Sequence, residues 1–113
     1  MAVKRGEVWR ADRAPTRGTE QAGIRPVLVV QTDRANPHSP HTIIVPFTSR
    51  LRQKLLPSHV LVPAGEGGLT QDSVALCEQI RVVDHGRLID KRGDLSAARM
   101  HEVDDALRVI LDL

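Results

Sequence analysis

Aromatic side chains are nearly missing: Trp9 and Phe47 are the only two, and there is no tyrosine. Proteins that hold single-stranded nucleic acid usually stack bases on aromatic rings, so any such role here falls to arginine planes, hydroxyls, amides and backbone groups. A single cysteine, Cys77, excludes an internal disulfide and suits a reducing compartment. No apolar run approaches the roughly 18 residues that cross a bilayer, and residues 1–7 lack the apolar stretch of a signal peptide. These absences assign a cytoplasmic protein with no membrane contact. The five histidines, His38, His41, His59, His85 and His101, show neither Cys-x-x-Cys nor His-Glu-x-x-His spacing, so no metal and no cofactor is expected.

What is present reads as globular. With 113 residues the chain is expected to form a single domain over 1–113, large enough to bury a core. A 41% hydrophobic and 27% charged composition is ordinary for such a domain. The net charge of +2 is unevenly spread: residues 1–56 carry ten Lys/Arg against four Asp/Glu, and residues 57–113 carry six against ten. A basic half suits a polyanion, because neutralised phosphates release their counterions.

The pattern predicts short strands followed by one helix. Residues 7–12 alternate polar and apolar, as a half-buried strand does. Residues 26–31 are β-branched and nearly all apolar, which predicts a central strand buried on both faces. Residues 42–47 form another buried strand, which Pro46 places at a sheet edge or terminates. Further strand segments fall at 59–63, 73–77 and 80–83, with Glu78-Gln79 as a bulge or a bend between the last two. Ser96 is the expected N-cap of the helix, with Leu95 and Met100 as its hydrophobic staple. Met100, Val103, Leu107, Ile110 and Leu111 mark its apolar stripe. The fold class is therefore mainly β with α, a small barrel carrying a C-terminal amphipathic helix.

Most chemistry-bearing residues have a structural reading. Cys77 lies in an apolar stretch and reads as an inert core thiol. Trp9 reads as core, and Gly65, Gly67 and Gly68 match no phosphate-cradling motif. His59, at a strand start, reads as structural. Arg25 reads on position alone as a structural salt bridge, although Pro26 biases it toward extended geometry at the point where a polar, Gly-bearing loop enters a buried strand. Thr48 and Ser49 likewise sit where a buried strand gives out, and functional groups are often mounted on such strand ends.

Four motifs then occur in order: Gly6-Glu7-Val8-Trp9, Gly18-Thr19-Glu20-Gln21-Ala22-Gly23-Ile24-Arg25-Pro26-Val27-Leu28-Val29, Val45-Pro46-Phe47-Thr48-Ser49, and Asp72-Ser73-Val74-Ala75-Leu76-Cys77-Glu78-Gln79-Ile80-Arg81. Together they resemble the MazF/PemK toxins, the mRNA interferases of bacterial toxin–antitoxin pairs, over residues 4–113. The resemblance implies an SH3-like barrel, a homodimer, and metal-independent cleavage of single-stranded RNA to 2′,3′-cyclic phosphate and 5′-hydroxyl ends. It also implies a MazE-type antitoxin as partner, and arrest of translation and growth. The family's catalytic positions fall on Arg25 and Thr48, and its RNA contacts around Thr19, Glu20, Gln21, Glu78 and Gln79. Ser49 and Arg50, in the basic stretch after Thr48, are read as further RNA contacts.

The implied chemistry suits these residue types. A guanidinium fork fits phosphorane oxygens, and a threonine hydroxyl donates to the same oxygens. Because arginine stays protonated, Glu20 is the more ordinary general base. Some plasmid-borne relatives use a histidine in the first loop, where this chain has Arg17. Two other classes of function share the fold: a non-catalytic barrel that binds nucleic acid or protein, and a topoisomerase-poisoning toxin. The intact pair of Arg25 and Thr48 favours the nuclease over both.

Overall fold

The computed structural model describes residues 2–12, 23–51 and 54–113. Among these, seven strands and one helix appear: β1 (Glu7–Asp12), β2 (Ile24–Val29), β3 (His41–Thr48), β4 (His59–Val62), β5 (Ser73–Leu76), β6 (Arg81–Asp84), β7 (Leu88–Asp94) and α1 (Ala97–Leu111). All pairings are antiparallel, in the order β4-β5-β3-β2-β1-β7, with β6 also on β3. This is the barrel-like sheet with a C-terminal helix that the sequence pattern predicts.

β1, β2 and β3 are covered on both faces because apolar residues occupy both parities. Val8, Leu28, Val45 and Phe47 point into a core completed by Met100, Val103 and Ala106 of α1. Trp9, Ala11, Val27, Val29 and Ile44 form a second cluster on the opposite face. Trp9 is thus core, and its indole N–H donates to the buried Glu7 carboxylate at 3.0 Å. Cys77 is buried too. Burial, aided by the neighbouring Glu78 charge, pushes its thiol up to about 12. We predict that native protein resists iodoacetamide at neutral pH and alkylates only after unfolding, because the thiolate is the nucleophile. Rapid native labelling, read by mass spectrometry, would contradict that environment.

Four expectations need correction. Pro46 neither ends β3 nor lies on a sheet-edge strand. β3 pairs with β6 along residues 41–44 and with β5 at 47–48, so Val45 and Pro46 face the break between those ladders, where a missing N–H is tolerated. Glu78 and Gln79 belong to a 3-10 turn, Cys77–Gln79, rather than a bulge or bent strand. β7 was not anticipated, because it carries mostly charged residues and two register shifts break its alternation. The helix is capped by Ser96, which accepts from the Arg99 N–H, and Leu95 and Met100 enter the core as expected. Its stripe ends early, however: Ala106 is buried while Ile110 and Leu111 are exposed, because α1 runs on past the sheet that covers its first half.

The edge strands β4 and β7 do not pair. The turn Glu66–Gly68, which follows β4, packs on β7 instead. A Cβ on Gly68 (φ +73°) would sit 2.2 Å from the Arg92 carbonyl oxygen, so this backbone-to-backbone contact requires glycine. On the other side, α1 packs against β4 and the Cys77–Gln79 turn, which supports that turn from beneath.

Candidate functional site

Residues of six strands and two 3-10 turns, with the stretches that follow them, converge on an open groove of about 1080 Å³. Arg25 enters at the start of β2, opposite Ala11 of β1. Thr48 enters at the end of β3, opposite Val74 of β5, with Ser49 and Arg50 beyond it. Glu78 and Gln79 come from the 3-10 turn. The structure therefore brings together Arg25, Thr48, Ser49, Arg50, Glu78 and Gln79, although up to 54 residues separate them in the chain. Thr19, Glu20 and Gln21, with the rest of the first loop, lie outside the described residues.

The hydrogen-bond geometry assigns roles. The Arg50 backbone N–H donates to Thr48 Oγ1 at 3.1 Å. That bond occupies an acceptor position on the hydroxyl and leaves its proton available for a ligand. Glu78 is held at both oxygens: Ser58 donates to Oε1 at 3.2 Å, and His59 Nε2 lies 3.0 Å from Oε2. The Leu56 N–H donates to His59 Nδ1 at 3.1 Å, so the ring proton sits on Nε2 and points at Glu78. His59, read from sequence as structural, is a largely buried side chain that also lines the groove and orients a groove carboxylate. The Gln79 side-chain oxygen is buried with no donor among the described residues.

The electrostatics are one-sided. Arg10, Arg25, Arg50 and Arg92 line the groove, and Glu78 is its one carboxylate among the described residues. Arg10 is paired with Asp90 in a two-pronged contact at 2.9 and 3.1 Å. This hydrogen bond first, and the charges of Arg10 and Arg92 second, hold the Asp90 carboxyl below its ordinary range. The guanidiniums of Arg25, Arg50 and Arg92 have no ion pair among the described residues. Such a surface is suited to a polyanion, and a free guanidinium that shares a groove with a donating hydroxyl can stabilise charge growing on phosphate oxygens. No group of three or more His, Cys, Asp or Glu residues with metal-binding geometry occurs among the described residues.

Arg10 and Arg92 were missed from sequence, along with Thr70, Gln71 and Ser73 in the same groove. Arg10 had no distinguishing signal, since it shares its strand face with Val8 and Asp12 in an ordinary half-polar pattern. Arg92 had none, because its orientation depends on a register shift in β7.

A family model described as PemK-like, MazF-like toxin of type II toxin–antitoxin system matches residues 4–111. The chain is 46% identical over 113 residues to Endoribonuclease EndoA of Bacillus subtilis (strain 168), covering all of this chain and 97% of that protein. Among solved structures, MazF (Form-I) from Deinococcus radiodurans superposes with a TM-score of 0.83 at 27% identity, over 100% of this chain and 99% of that one. An endoribonuclease in complex with its cognate antitoxin from a mycobacterial species has the same fold, with a TM-score of 0.82 at 24% identity over 99% and 97% of the two chains.

Proposed function

The chain belongs to the PemK-like, MazF-like toxins of type II toxin–antitoxin systems, and from that premise we propose that it is a sequence-specific endoribonuclease cutting single-stranded mRNA without a metal ion. The observation that carries this reading is the groove itself. Arg25, without an ion pair among the described residues, shares the groove with Thr48, whose hydroxyl proton is free to donate, on a surface with four guanidiniums against one carboxylate.

The reaction runs through the RNA's own 2′-hydroxyl. A general base takes its proton, the 2′-oxygen attacks the adjacent phosphorus, the P–O5′ bond breaks, and the leaving 5′-oxygen is protonated. The products are a 2′,3′-cyclic phosphate and a 5′-hydroxyl. Arg25 stabilises the negative charge on the phosphorane oxygens through its fork, and Thr48 donates a further hydrogen bond to them. Glu20 is the base in this scheme. Ser49, Arg50, Glu78 and Gln79, with Thr19 and Gln21 of the first loop, hold the bases and phosphates on either side. Glu78, locked by Ser58 and His59, offers acceptors to a base amino group, and Gln79 lines the groove beside it.

The enzyme acts in the cytoplasm as a toxin that stops translation and growth. No described helix is long and apolar enough to cross a membrane. Its partner is a MazE-type antitoxin, since a mycobacterial protein of the same fold is seen with its cognate antitoxin. The working form is a homodimer, in keeping with exposed apolar side chains on the end of α1 at Val109, Ile110 and Leu111.

The test is direct. Purified protein is incubated with mixed RNA in EDTA, and the new ends are analysed chemically. We expect cleavage with cyclic phosphate ends, and none where the cleavage-site 2′-hydroxyl is replaced by hydrogen. Cutting only with added magnesium, or cutting of the deoxy-substituted site, would overturn the mechanism.

A further inference from the structure

The register of β7 on β1 pairs Val8 with Gly93, Trp9 with Lys91, Arg10 with Asp90 and Ala11 with Leu88. Arg92 therefore has no partner residue on β1 and is the extra residue of a bulge. Bulges re-aim a side chain, and they are common beside active sites. Here the side chain lines the groove. Its backbone is pinned from behind by the Gly68 contact, in which the Arg92 carbonyl leaves no room for a Cβ. The guanidinium has no hydrogen bond or ion pair among the described residues. The carboxylate two residues away, Asp90, is already taken by Arg10.

We propose that Arg92 is a second phosphodiester-binding point, which holds a phosphate of the RNA other than the one being cut. This inference rests on the nuclease reading above and extends it. Arg25 is on β2 and Arg92 on β7, with β1 between them, so their backbones are separated by two strand spacings, roughly 10 Å, and are further offset along β1, because Arg25 is level with Ala11 while Arg92 falls between the partners of Val8 and Trp9. That offset suits a neighbouring phosphate rather than the reacting one. The Arg10–Asp90 pair cancels its own charge on this wall and leaves Arg92 as the net cation there. Thr70 and Gln71, from the stretch after the Glu66–Gly68 turn, line the same groove with uncharged donors and acceptors. The RNA track therefore continues past Arg25 and Thr48 along the β7 wall, and Arg92 contributes to substrate grip rather than to bond breaking.

The experiment uses 2′-O-methylated oligonucleotides that carry the sequence the protein cuts, either short around the cleaved step or extended on both sides. Dissociation constants are measured across a salt series for wild type, Arg92→Ala, Arg92→Lys and Arg108→Ala. Arg108 carries the same charge on exposed α1, where it pairs with Asp105 outside the groove. We expect Arg92→Ala to weaken binding of the extended oligonucleotide about tenfold and to reduce the slope of log K against log salt by about 0.7. The short oligonucleotide should bind as to wild type, Arg92→Lys should recover most of the loss, and Arg108→Ala should change nothing. Equal weakening of short and extended RNA, an unchanged slope for Arg92→Ala, or an equal effect of Arg108→Ala would overturn the proposal while leaving the nuclease reading intact. Failure of wild-type protein to bind or cut RNA would overturn both.

Discussion

Arg25→Ala is expected to lower kcat for RNA cleavage by about 10²–10³-fold, the range seen when one preorganised donor to a developing oxyanion is removed. Thr48→Ala should cost about 10²-fold by the same argument. The physical case differs between the two residues. Arg25 presents an unpaired, delocalised charge at a point fixed by Pro26 and by the β1–β2 pairing. Thr48 presents one donor, aimed by the Arg50 N–H that occupies its oxygen. Arg25→Lys keeps the charge and loses the fork, so its activity should fall between those of wild type and alanine. Thr48→Ser keeps the hydroxyl and should retain most activity. Arg25 is exposed and Thr48 partly so, and all four variants should show wild-type circular dichroism and melting. Wild-type cutting by either alanine variant would remove that residue from the site. Glu20→Gln addresses the base separately: if Glu20 takes the 2′-proton, this variant loses the acidic limb of the pH–rate profile along with most of the rate.

Phe47→Ala should have the largest effect on stability, about 3–5 kcal/mol. Phe47 is the largest of the fully buried side chains, and it lies among Val8, Leu28, Val45, Val62, Ala75 and Val103. Truncation leaves a cavity between the sheet and α1 that rigid strands on three sides cannot collapse into. Against a total stability of roughly 5–15 kcal/mol, such a loss leaves a marginal protein. Phe47→Leu, which keeps most of the volume, should cost less than half as much. Urea denaturation of both variants measures this directly. A loss below about 1 kcal/mol for Phe47→Ala would mean that the core is far more plastic than its packing implies. Phe47 also immediately precedes Thr48 and pairs with Ala75, so the same packing that stabilises the barrel holds the Thr48 hydroxyl at the groove.

Much of this was legible in the primary structure. The alternation in 7–12 predicts β1 with its observed bounds, and Ser96 with Leu95 and Met100 predicts the start of α1. Local rules suffice there, since side-chain parity and cap chemistry act within a few residues. Arg25 and Thr48 were recognisable as residues at strand ends, and the motifs around them led to the family. The misses share a cause. β7 has too few apolar residues and too irregular a register for period-2 reading to detect it. Pro46 reads as an edge residue because sequence does not show that two different strands share one side of β3. His59 reads as structural because nothing local reveals that Glu78 lies 3.0 Å from its ring.

The sequence by itself determined the class of fold, the apolar setting of Cys77, the strand-end positions of Arg25 and Thr48, and the ordered motifs that lead to the family. Those are properties of residue type, short-range pattern and ordered motifs. Only the tertiary structure decided that Arg10, Arg25, Arg50 and Arg92 share one groove with a single carboxylate, and that Arg92 points into it. Side-chain periodicity says which face a residue occupies, but not which strand lies beside it. That second fact comes from pairing register, from the bulge in β7, and from the close approach of Gly68 to the Arg92 backbone.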